Sequence, residues 1–205
     1  MDAAKTWPPA GSRSLRKPPE VPRWAPIFLV AAAAFMADQA TKCAVIFTIS
    51  LNESVAVWAP FFRLTHIHNP GAAFGIFAGR AEILRRPFFV ALSVFAVAFI
   101  LYLFQKEPRA GMWRRAAFGL ILGGAIGNLA DRLRYGAVVD FLHFSASVKG
   151  HRYEFAVFNV ADSAICVGVG MLILEMIFGG NRRAPAEREP VEESAVGSQQ
   201  GPEPA

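Results

Sequence analysis

The stretch FFVALSVFAVAFILYLF, residues 88–104, decides the fold class, because it is long, apolar and free of charge. At about 1.5 Å of rise per residue, such a helix approaches the roughly 30 Å of hydrocarbon in a bilayer. A helix on the surface of a soluble protein would instead carry polar residues along one face. The stretch therefore predicts a helix that crosses a membrane.

Three further apolar stretches surround this one, at residues 26–49, 116–130 and 155–174. The chain as a whole is 54% hydrophobic and only 18% charged, whereas soluble domains are about 25% charged. This composition argues against a soluble enzyme, a disulfide-rich secreted domain and a disordered chain. We predict a mainly α membrane protein with four transmembrane helices.

The apolar stretches also set the domain boundaries. Residues 1–25 are rich in proline and basic residues, and residues 181–205 in proline, glutamate, serine and glutamine. Both compositions are typical of disordered tails, which leaves residues 26–180 as one membrane domain. A basic tail before an apolar run also resembles a signal peptide, but here the run resumes after Lys42 and reaches Ile49, which favours a retained span.

The net charge of +5 lies mostly in the tails and loops that flank the apolar stretches. This distribution indicates orientation in a membrane and no nucleic-acid partner. With both termini inside, the inner segments hold twelve Lys and Arg residues and the outer loops seven. We therefore expect both tails in the cytoplasm.

The outer segment at about 50–86, between the first two spans, is predicted to form a small sheet on the membrane surface. Residues 55–71, VAVWAPFFRLTHIHNPG, alternate in polarity and are rich in aromatic and β-branched residues. Turns are expected at Ala59-Pro60 and at Asn69-Pro70-Gly71. The aromatic side chains expected to cover a site from above are Phe61, Phe62, Phe74 and Phe77.

Small residues inside the spans are expected to pack in the interior. Gly119, Gly123 and Gly127 form a small-xxx-small ridge that would let a neighbouring helix approach closely. Cys43 and Cys166 lie far apart in sequence within apolar stretches. We interpret them as small core residues and not as a disulfide.

Four of the five aspartates lie within or beside the spans, although a charge at mid-membrane costs about 2.5–3.5 kcal/mol on insertion scales. Counting residues from the span ends brings Asp38, Asn128 and Asp162 to one level in the outer half of the membrane. Asp140, between the last two spans, lies near that level. Such convergence indicates a functional site.

Helical spacing predicts how some of these residues pair. Asp38 and Lys42 are four residues apart and share a helix face. Asn128 shares a helix face with Asp131 and Arg132, three and four residues further along. We interpret Asp131 and Arg132 as a buried ion pair that shapes the site.

Asp140 and Asp162 have no cation at helical spacing, so they are the candidates for chemistry. A pair of aspartates can hydrolyse an amide, because the ionised member takes a proton from water while its protonated partner supports the carbonyl oxygen. Metalloprotease and serine-hydrolase motifs are absent from the sequence. His66 and His68 form a weak alternative metal pair on one strand face, and we expect neither a metal nor another cofactor.

Five motifs occur in order along the chain: DQATK at 38–42, NPGAAFG at 69–75, GGAIGNLADR at 123–132, VVDF at 138–141 and FNVADS at 158–163. Together they closely resemble bacterial lipoprotein signal peptidase (signal peptidase II). The resemblance implies a four-helix aspartic peptidase of the bacterial inner membrane, with a periplasmic β-cradle between helices 1 and 2. It also implies that prolipoproteins are cut just before a diacylglyceryl-modified cysteine.

By motif position, the resemblance makes Asp140 and Asp162 the catalytic pair, on the periplasmic side. The residues that it implies line or brace the site are Asp38, Lys42, Asn69, Gly71, Gly124, Asn128, Arg132, Asn159 and Ala161; Asp131 joins them by its helical spacing. The expected partners are prolipoproteins and membrane lipid, and the protein is expected to be a monomer. Residues 142–155 depart from the family pattern as a longer connection.

Two other function classes remain open from the residues alone. Intramembrane acids also occur in proton-coupled transporters, although four spans are few and no inverted repeat is visible. A non-enzymatic assembly factor is the other alternative, and its function would survive the loss of Asp140 and Asp162. Cleavage of a lipidated prolipoprotein by the purified monomer distinguishes the peptidase from both.

Overall fold

The computed structural model describes residue 22 and residues 24–71, 82–108 and 110–178. Most of the two predicted tails, as well as Phe74 and Phe77, therefore lies outside the described residues. Within them the elements are α1 (Ala25–Thr48), β1 (Ser54–Trp58), β2 (Phe62–Asn69), α2 (Glu82–Lys106), α3 (Met112–Tyr135), β3 (Val138–Val148), β4 (His151–Glu154) and α4 (Val160–Phe178).

Helix α3 is the centre of the helical part, with α1 and α4 packed closely against it. The predicted glycine ridge is confirmed, because all three of its glycines face α1. A Cβ atom placed on Gly119 would lie 2.7 Å from Val30 Cβ, and one on Gly123 would lie 2.8 Å from Ala34 Cβ. Another glycine of α3, Gly124, lies against the backbone carbonyl of Ala161 at the start of α4. Helix α3 thus has glycines, without side chains, where α1 and α4 approach it.

The outer surface of the helices is apolar. Phe95 on α2 and Met176 on α4 are 64% and 74% exposed. Among the described residues, three helices, α1, α2 and α4, are long and apolar enough to cross a membrane by length and composition. The prediction for the cysteines was wrong, since Cys43 and Cys166 are both exposed. In a membrane protein apolar side chains cover the outside as well as the core, so an apolar stretch does not by itself place a residue inside.

The predicted sheet is present, but it is larger than expected and is built from two parts of the chain. Its strand order is β1-β2-β3-β4, with every neighbouring pair antiparallel. Only β1 and β2 lie between the first two helices, where the whole sheet was expected. The connection at 142–155 instead supplies most of β3 and all of β4. The pairing of β3 with β2 was missed because strand pairing across a long sequence separation leaves little local signal. The β3–β4 hairpin did have a local signal, the Lys149-Gly150 turn with φ +50° and +79°, which the sequence analysis did not use.

The register of β2 against β3 brings the first half of the chain to Asp140. Ile67 lies opposite Asp140, and Asn69 lies opposite Val138. At the end of α1, Val45 and Ile49 form a buried cluster with Phe141 of β3. This cluster fixes the sheet on the helices, so the sheet determines where Asp140 lies.

Candidate active site

Asp162 is held by the capping of helix α4. Asn159, directly before the first residue of the helix, accepts a hydrogen bond at Oδ1 from the backbone N–H of Asp162 (2.9 Å). In return, Asp162 Oδ2 accepts one from the backbone N–H of Asn159 (3.3 Å). This is a reciprocal capping box with Asn and Asp in place of the usual Ser or Thr and Glu. It leaves Asp162 Oδ1 to accept a bond from the Asn128 side-chain amide at 2.8 Å.

Asp140 lies on β3 and accepts hydrogen bonds at both carboxylate oxygens. The Nδ2 of Asn159 donates to Oδ1 at 2.6 Å, and the Nδ2 of Asn69 donates to Oδ2 at 2.9 Å. Asn69 in turn closes a turn, since its Oδ1 accepts from the backbone N–H of Gly71 (2.9 Å). Gly71 has φ +92°, in the left-handed region that favours glycine. The turn thus presents the Asn69 amide to Asp140.

Two asparagines join the two aspartates into one network. Asn159 binds Asp140 with its side chain and Asp162 with its backbone, and it is fully buried. Its Nδ2 also lies 3.2 Å from Oδ1 of Asn128, which binds Asp162. A shift of either carboxylate would therefore move these asparagines and strain their hydrogen bonds to the other carboxylate.

A buried ion network lies beneath this pair. Lys42 Nζ is 2.9 Å from Asp38 Oδ2 and 2.7 Å from Asp131 Oδ2, and all three side chains are at most 2% exposed. Lys42 also donates to Asn128 Oδ1 at 3.1 Å. The predicted Asp38–Lys42 pair is confirmed. Because buried charges are tolerated only when they are paired and hydrogen-bonded, this network orients Asn128 rigidly.

The two acids of the network also accept hydrogen bonds from backbone amides. Asp38 Oδ1 accepts from the N–H of Ala161 at 2.9 Å, which ties α1 to the start of α4. Asp131 Oδ2 accepts from the N–H of Val139 at 3.1 Å, which ties α3 to β3. Ala161 itself is fully buried against Gly124. The two acids thus fix the backbone directly before each catalytic candidate, at Val139 before Asp140 and at Ala161 before Asp162.

The predicted ion pair of Asp131 with Arg132 was wrong. Asp131 binds Lys42, whereas Arg132 Nη1 donates to the hydroxyl of Ser93 and the backbone oxygen of Asn128, both at 3.3 Å. Neighbouring residues on a helix point about 100° apart, so they do not face each other. Arg132 consequently faces α2 while Asp131 faces α1.

Sequence reasoning missed Gln39, which completes the network. Its side-chain amide nitrogen lies 3.1 Å from both Asp38 Oδ2 and Asp131 Oδ1, and its oxygen accepts a bond from Arg134 Nη1 at 3.1 Å. The available signal was a polar amide beside Asp38 within an apolar stretch.

Burial controls the electrostatics of Asp140. Its removal from water raises the pKa of the Asp140 carboxyl to about 6, and the negative charge of Asp162 raises it as well. The hydrogen bonds from Asn69 and Asn159 act in the opposite direction, because they stabilise the ionised form. A carboxyl group with a raised pKa can hold a proton near neutral pH and share it with a neighbouring carboxylate.

The two histidines of the alternative metal pair do lie together on β2. Their ring centroids are 5.3 Å apart, and His66 Nδ1 is 2.8 Å from the carbonyl oxygen of Ile49. His68 packs against the ring of Tyr135. In the part of the chain that the structure describes, no group of three or more His, Cys, Asp or Glu side chains could hold a metal ion.

Residues 30–178 match the family model described as signal peptidase (SPase) II. The match covers every site residue above and all the described helices and strands except the first five residues of α1. The chain belongs to the signal peptidase II family. The family membership confirms the predicted enzyme class and activity: the protein is a peptidase that removes signal peptides from prolipoproteins.

Relatives support membership of the signal peptidase II family along most of their length. The lipoprotein signal peptidase of Desulforapulum autotrophicum is 45% identical over 152 residues, which cover 73% of this chain and 90% of the relative. That of Syntrophotalea carbinolica is 44% identical over 148 residues, with 72% and 88% covered. A solved bacterial membrane enzyme superposes with a TM-score of 0.64 and 30% identity, over 78% of this chain and 93% of that one. Together with the apolar helices, this likeness indicates a bacterial membrane protein.

Proposed function

We propose that Asp140 and Asp162 are the catalytic pair of this signal peptidase II, and that it cuts just before a diacylglyceryl-modified cysteine. One observation carries the proposal: Asn159 binds both carboxylates, Asp140 through its side chain (2.6 Å) and Asp162 through its backbone (3.3 Å). Paired carboxyl groups held by one rigid residue have the geometry that acid–base hydrolysis needs.

The reaction uses one proton shared by the pair. The ionised carboxylate takes a proton from water as the water oxygen attacks the scissile carbonyl carbon, while the protonated carboxyl donates a hydrogen bond to the carbonyl oxygen. The tetrahedral intermediate then breaks its C–N bond as the amine receives a proton, which releases the lipidated cysteine as a new N-terminus. The raised pKa of Asp140, about 6, supports a proton held within the pair.

The other predicted site residues support the pair in this proposal. Asn69, turned by Gly71, and Asn128 hold one carboxylate each. The buried network of Asp38, Lys42 and Asp131 fixes their positions, while Gly124 and Ala161 allow α3 and α4 to approach. Arg132 donates to the backbone oxygen of Asn128 and lines a cavity together with residues of α2.

We further propose four membrane spans, with both termini in the cytoplasm and the site toward the periplasm. Helix α3 becomes the fourth span, shielded from lipid by its neighbours: it contacts α1, α2 and α4 and has more buried residues than any of those three helices. This shielding explains how α3 can be less apolar than the other three helices. The domain then comprises residues 26–180, between tails at 1–25 and 181–205.

A groove between α2 and α4 supplies lateral access from the bilayer. The cavity of about 150 Å³ is lined by Phe89, Leu92, Ser93 and Ala96 of α2, Ala125, Asn128 and Arg132 of α3, and Ile165 of α4. A substrate helix can enter it sideways while its acyl chains stay in lipid. The partners are thus prolipoproteins and membrane lipid, and one chain contains the whole site, which supports a monomer.

The test is cleavage of a lipidated prolipoprotein by Asp140→Asn and Asp162→Asn. We expect each to lose cleavage, because neither amide can take a proton from water, while the protein still folds and inserts. Asn at 162 keeps an oxygen for the capping box. Exposed Glu53→Gln is the matched control and is expected to cut normally. Near-normal turnover by either well-folded Asn variant would contradict the aspartic mechanism.

A further inference from the structure

Helix α2 carries none of the five sequence motifs, yet it contributes half of the residues that line the groove. Two of its residues, Phe89 and Ser93, are four apart and lie on the same helix face. Both contact Arg132, which lies on α3 one turn beyond Asn128. The contact therefore joins an element without motif residues to the candidate active site.

Arg132 is half-buried and lacks a carboxylate partner. In the described part of the chain, no Asp or Glu oxygen lies within 4.0 Å of its guanidinium. Its Nη1 is shared between Ser93 Oγ and the Asn128 carbonyl, and its Cζ lies 5.7 Å from the centroid of the Phe89 ring. These direct contacts are neutral and, among the described residues, the hydrogen bonds use Nη1 alone, so most of the five N–H donors remain for a ligand in the groove.

The orientation of Ser93 is itself determined. Its hydroxyl donates to the backbone oxygen of Phe89 at 2.8 Å, so its lone pairs are left to accept from Arg132. The face of the Phe89 ring attracts the guanidinium from another side. An arginine side chain loses considerable rotamer freedom when it binds, and partners that hold it in place beforehand reduce this loss.

We propose that Ser93 and Phe89 are positioning residues that hold the Arg132 guanidinium in the groove, ready to donate to peptide carbonyl oxygens of the substrate. They act on substrate binding through Arg132 and do not touch the reacting atoms. This inference rests on the proposed catalytic pair at Asp140 and Asp162.

The kinetic test compares Ser93→Ala with Ser93→Thr on a lipidated prolipoprotein. We expect Ser93→Ala to raise KM about fivefold, as for the loss of one hydrogen bond of ordinary strength, because the Nη1–Oγ distance of 3.3 Å is long; kcat is expected to stay within about twofold. Ser93→Thr keeps the hydroxyl and is expected to restore KM. Thr48→Ala is the matched control: it removes an exposed hydroxyl that bonds the Ala44 carbonyl at 2.7 Å, just as Ser93 bonds that of Phe89. An unchanged KM in Ser93→Ala, or an equal rise in Thr48→Ala, overturns the proposal.

A double-mutant cycle shows whether Ser93 acts through Arg132. Binding of the lipidated prolipoprotein is measured in an Asp162→Asn background, where no cleavage interferes. There, Ser93→Ala is expected to weaken binding about fivefold when Arg132 is present, but by less than about twofold with Arg132→Met. Phe89→Leu should behave in the same way. If Ser93→Ala weakens binding by the same factor with Arg132 and with Arg132→Met, the positioning role is overturned.

The failure of this inference is distinguishable from the failure of the proposed function. If Asp140→Asn still cleaves, the proposed function fails. If Asp140→Asn does not cleave and Ser93→Ala binds normally, only this inference fails.

Discussion

At the scale of single residues, Asp140 is the group whose environment controls its protonation most directly. Burial raises its pKa to about 6, while hydrogen bonds from Asn69 and Asn159 keep the pKa from rising further. The carboxylate form is thus stabilised by side chains from two different segments of the chain. Removing one donor changes the pKa without removing the carboxyl group.

The pH dependence of Asn69→Ala tests this balance. Loss of the Asn69 bond destabilises the ionised form, so the pKa of Asp140 rises further and more protons are bound near pH 6. We expect the limb of the kcat/KM profile that reports Asp140 to move to higher pH. Ser54→Ala, in the same sheet but hydrogen-bonded to Thr65, is expected to leave this limb in place. An unmoved limb in Asn69→Ala would show that Asn69 does not control Asp140.

Lys42 is the residue on which the buried network depends. Among the described residues, Lys42→Met removes the only cation that forms ion pairs with both Asp38 and Asp131, and leaves two buried carboxylates without it. Breaking such a pair costs about 3–5 kcal/mol. We expect a lower thermal unfolding midpoint as well as lower activity.

The control for this prediction is Lys106→Met, which makes the same change at an exposed lysine near the end of α2. It is expected to leave the unfolding midpoint almost unchanged. If Lys42→Met unfolds at the same temperature as this control but is inactive, Lys42 contacts the substrate and does not brace the fold.

At the scale of elements, the contact between α3 and α4 depends on Gly124. A Cβ atom there would meet the backbone oxygen of Ala161, and would lie 2.8 Å from Ile165 Cγ1. Gly124→Ala must therefore push α4 away from α3. Because Asp162 is on α4 and its partner Asn128 is on α3, we expect weaker cleavage and a lower unfolding midpoint.

Gly170→Ala is the matched control within α4, since no atom lies within 4 Å of the added Cβ. Alanine favours a helix over glycine by up to about 1 kcal/mol, so this variant is expected to be at least as stable as the original chain. Comparison of Gly124→Ala with Gly170→Ala therefore separates the effect of helix propensity on stability from the effect of packing between α3 and α4. Equal activity of the two variants would show that α3 and α4 can separate without harm to the site.

The sheet couples the two halves of the sequence at the same scale. Strand β2 lies between β1 and β3, and its last residue, Asn69, binds Asp140 of β3. A buried cluster of Val45, Ile49 and Phe141 holds this pair of strands on the end of α1. The sheet is therefore part of the candidate site and not only a cover over it.

At the scale of the whole molecule, the groove between α2 and α4 predicts that the enzyme recognises the substrate peptide and its attached lipid together. The diacylglyceryl chains of a substrate would set the depth of the scissile bond, while the peptide enters the groove sideways. We expect the enzyme to cut an unlipidated precursor poorly. Cleavage of both forms in vesicles, at matched membrane concentration, is the measurement. Equal rates would contradict lateral access fixed by the lipid.

The sequence alone determined the features that depend on composition and short spacing. A long uncharged apolar stretch requires a membrane helix, because charges are expensive in hydrocarbon. Spacings of four residues on one helix predicted the Asp38–Lys42 pair and the ridge of Gly119, Gly123 and Gly127. Both signals are local, since residues three or four apart must share a helix face.

Tertiary structure alone decided which distant segments meet. The strands at 138–154 complete the sheet, Asp131 pairs with Lys42 and not with Arg132, and Asn159 joins the two candidate aspartates. Ser93 meets Arg132 although α2 has no motif to mark it. The pairs Lys42–Asp131 and Ser93–Arg132, and the strands β2 and β3, are tens of positions apart in sequence. Their meeting follows from helix packing and strand register, which no local spacing specifies.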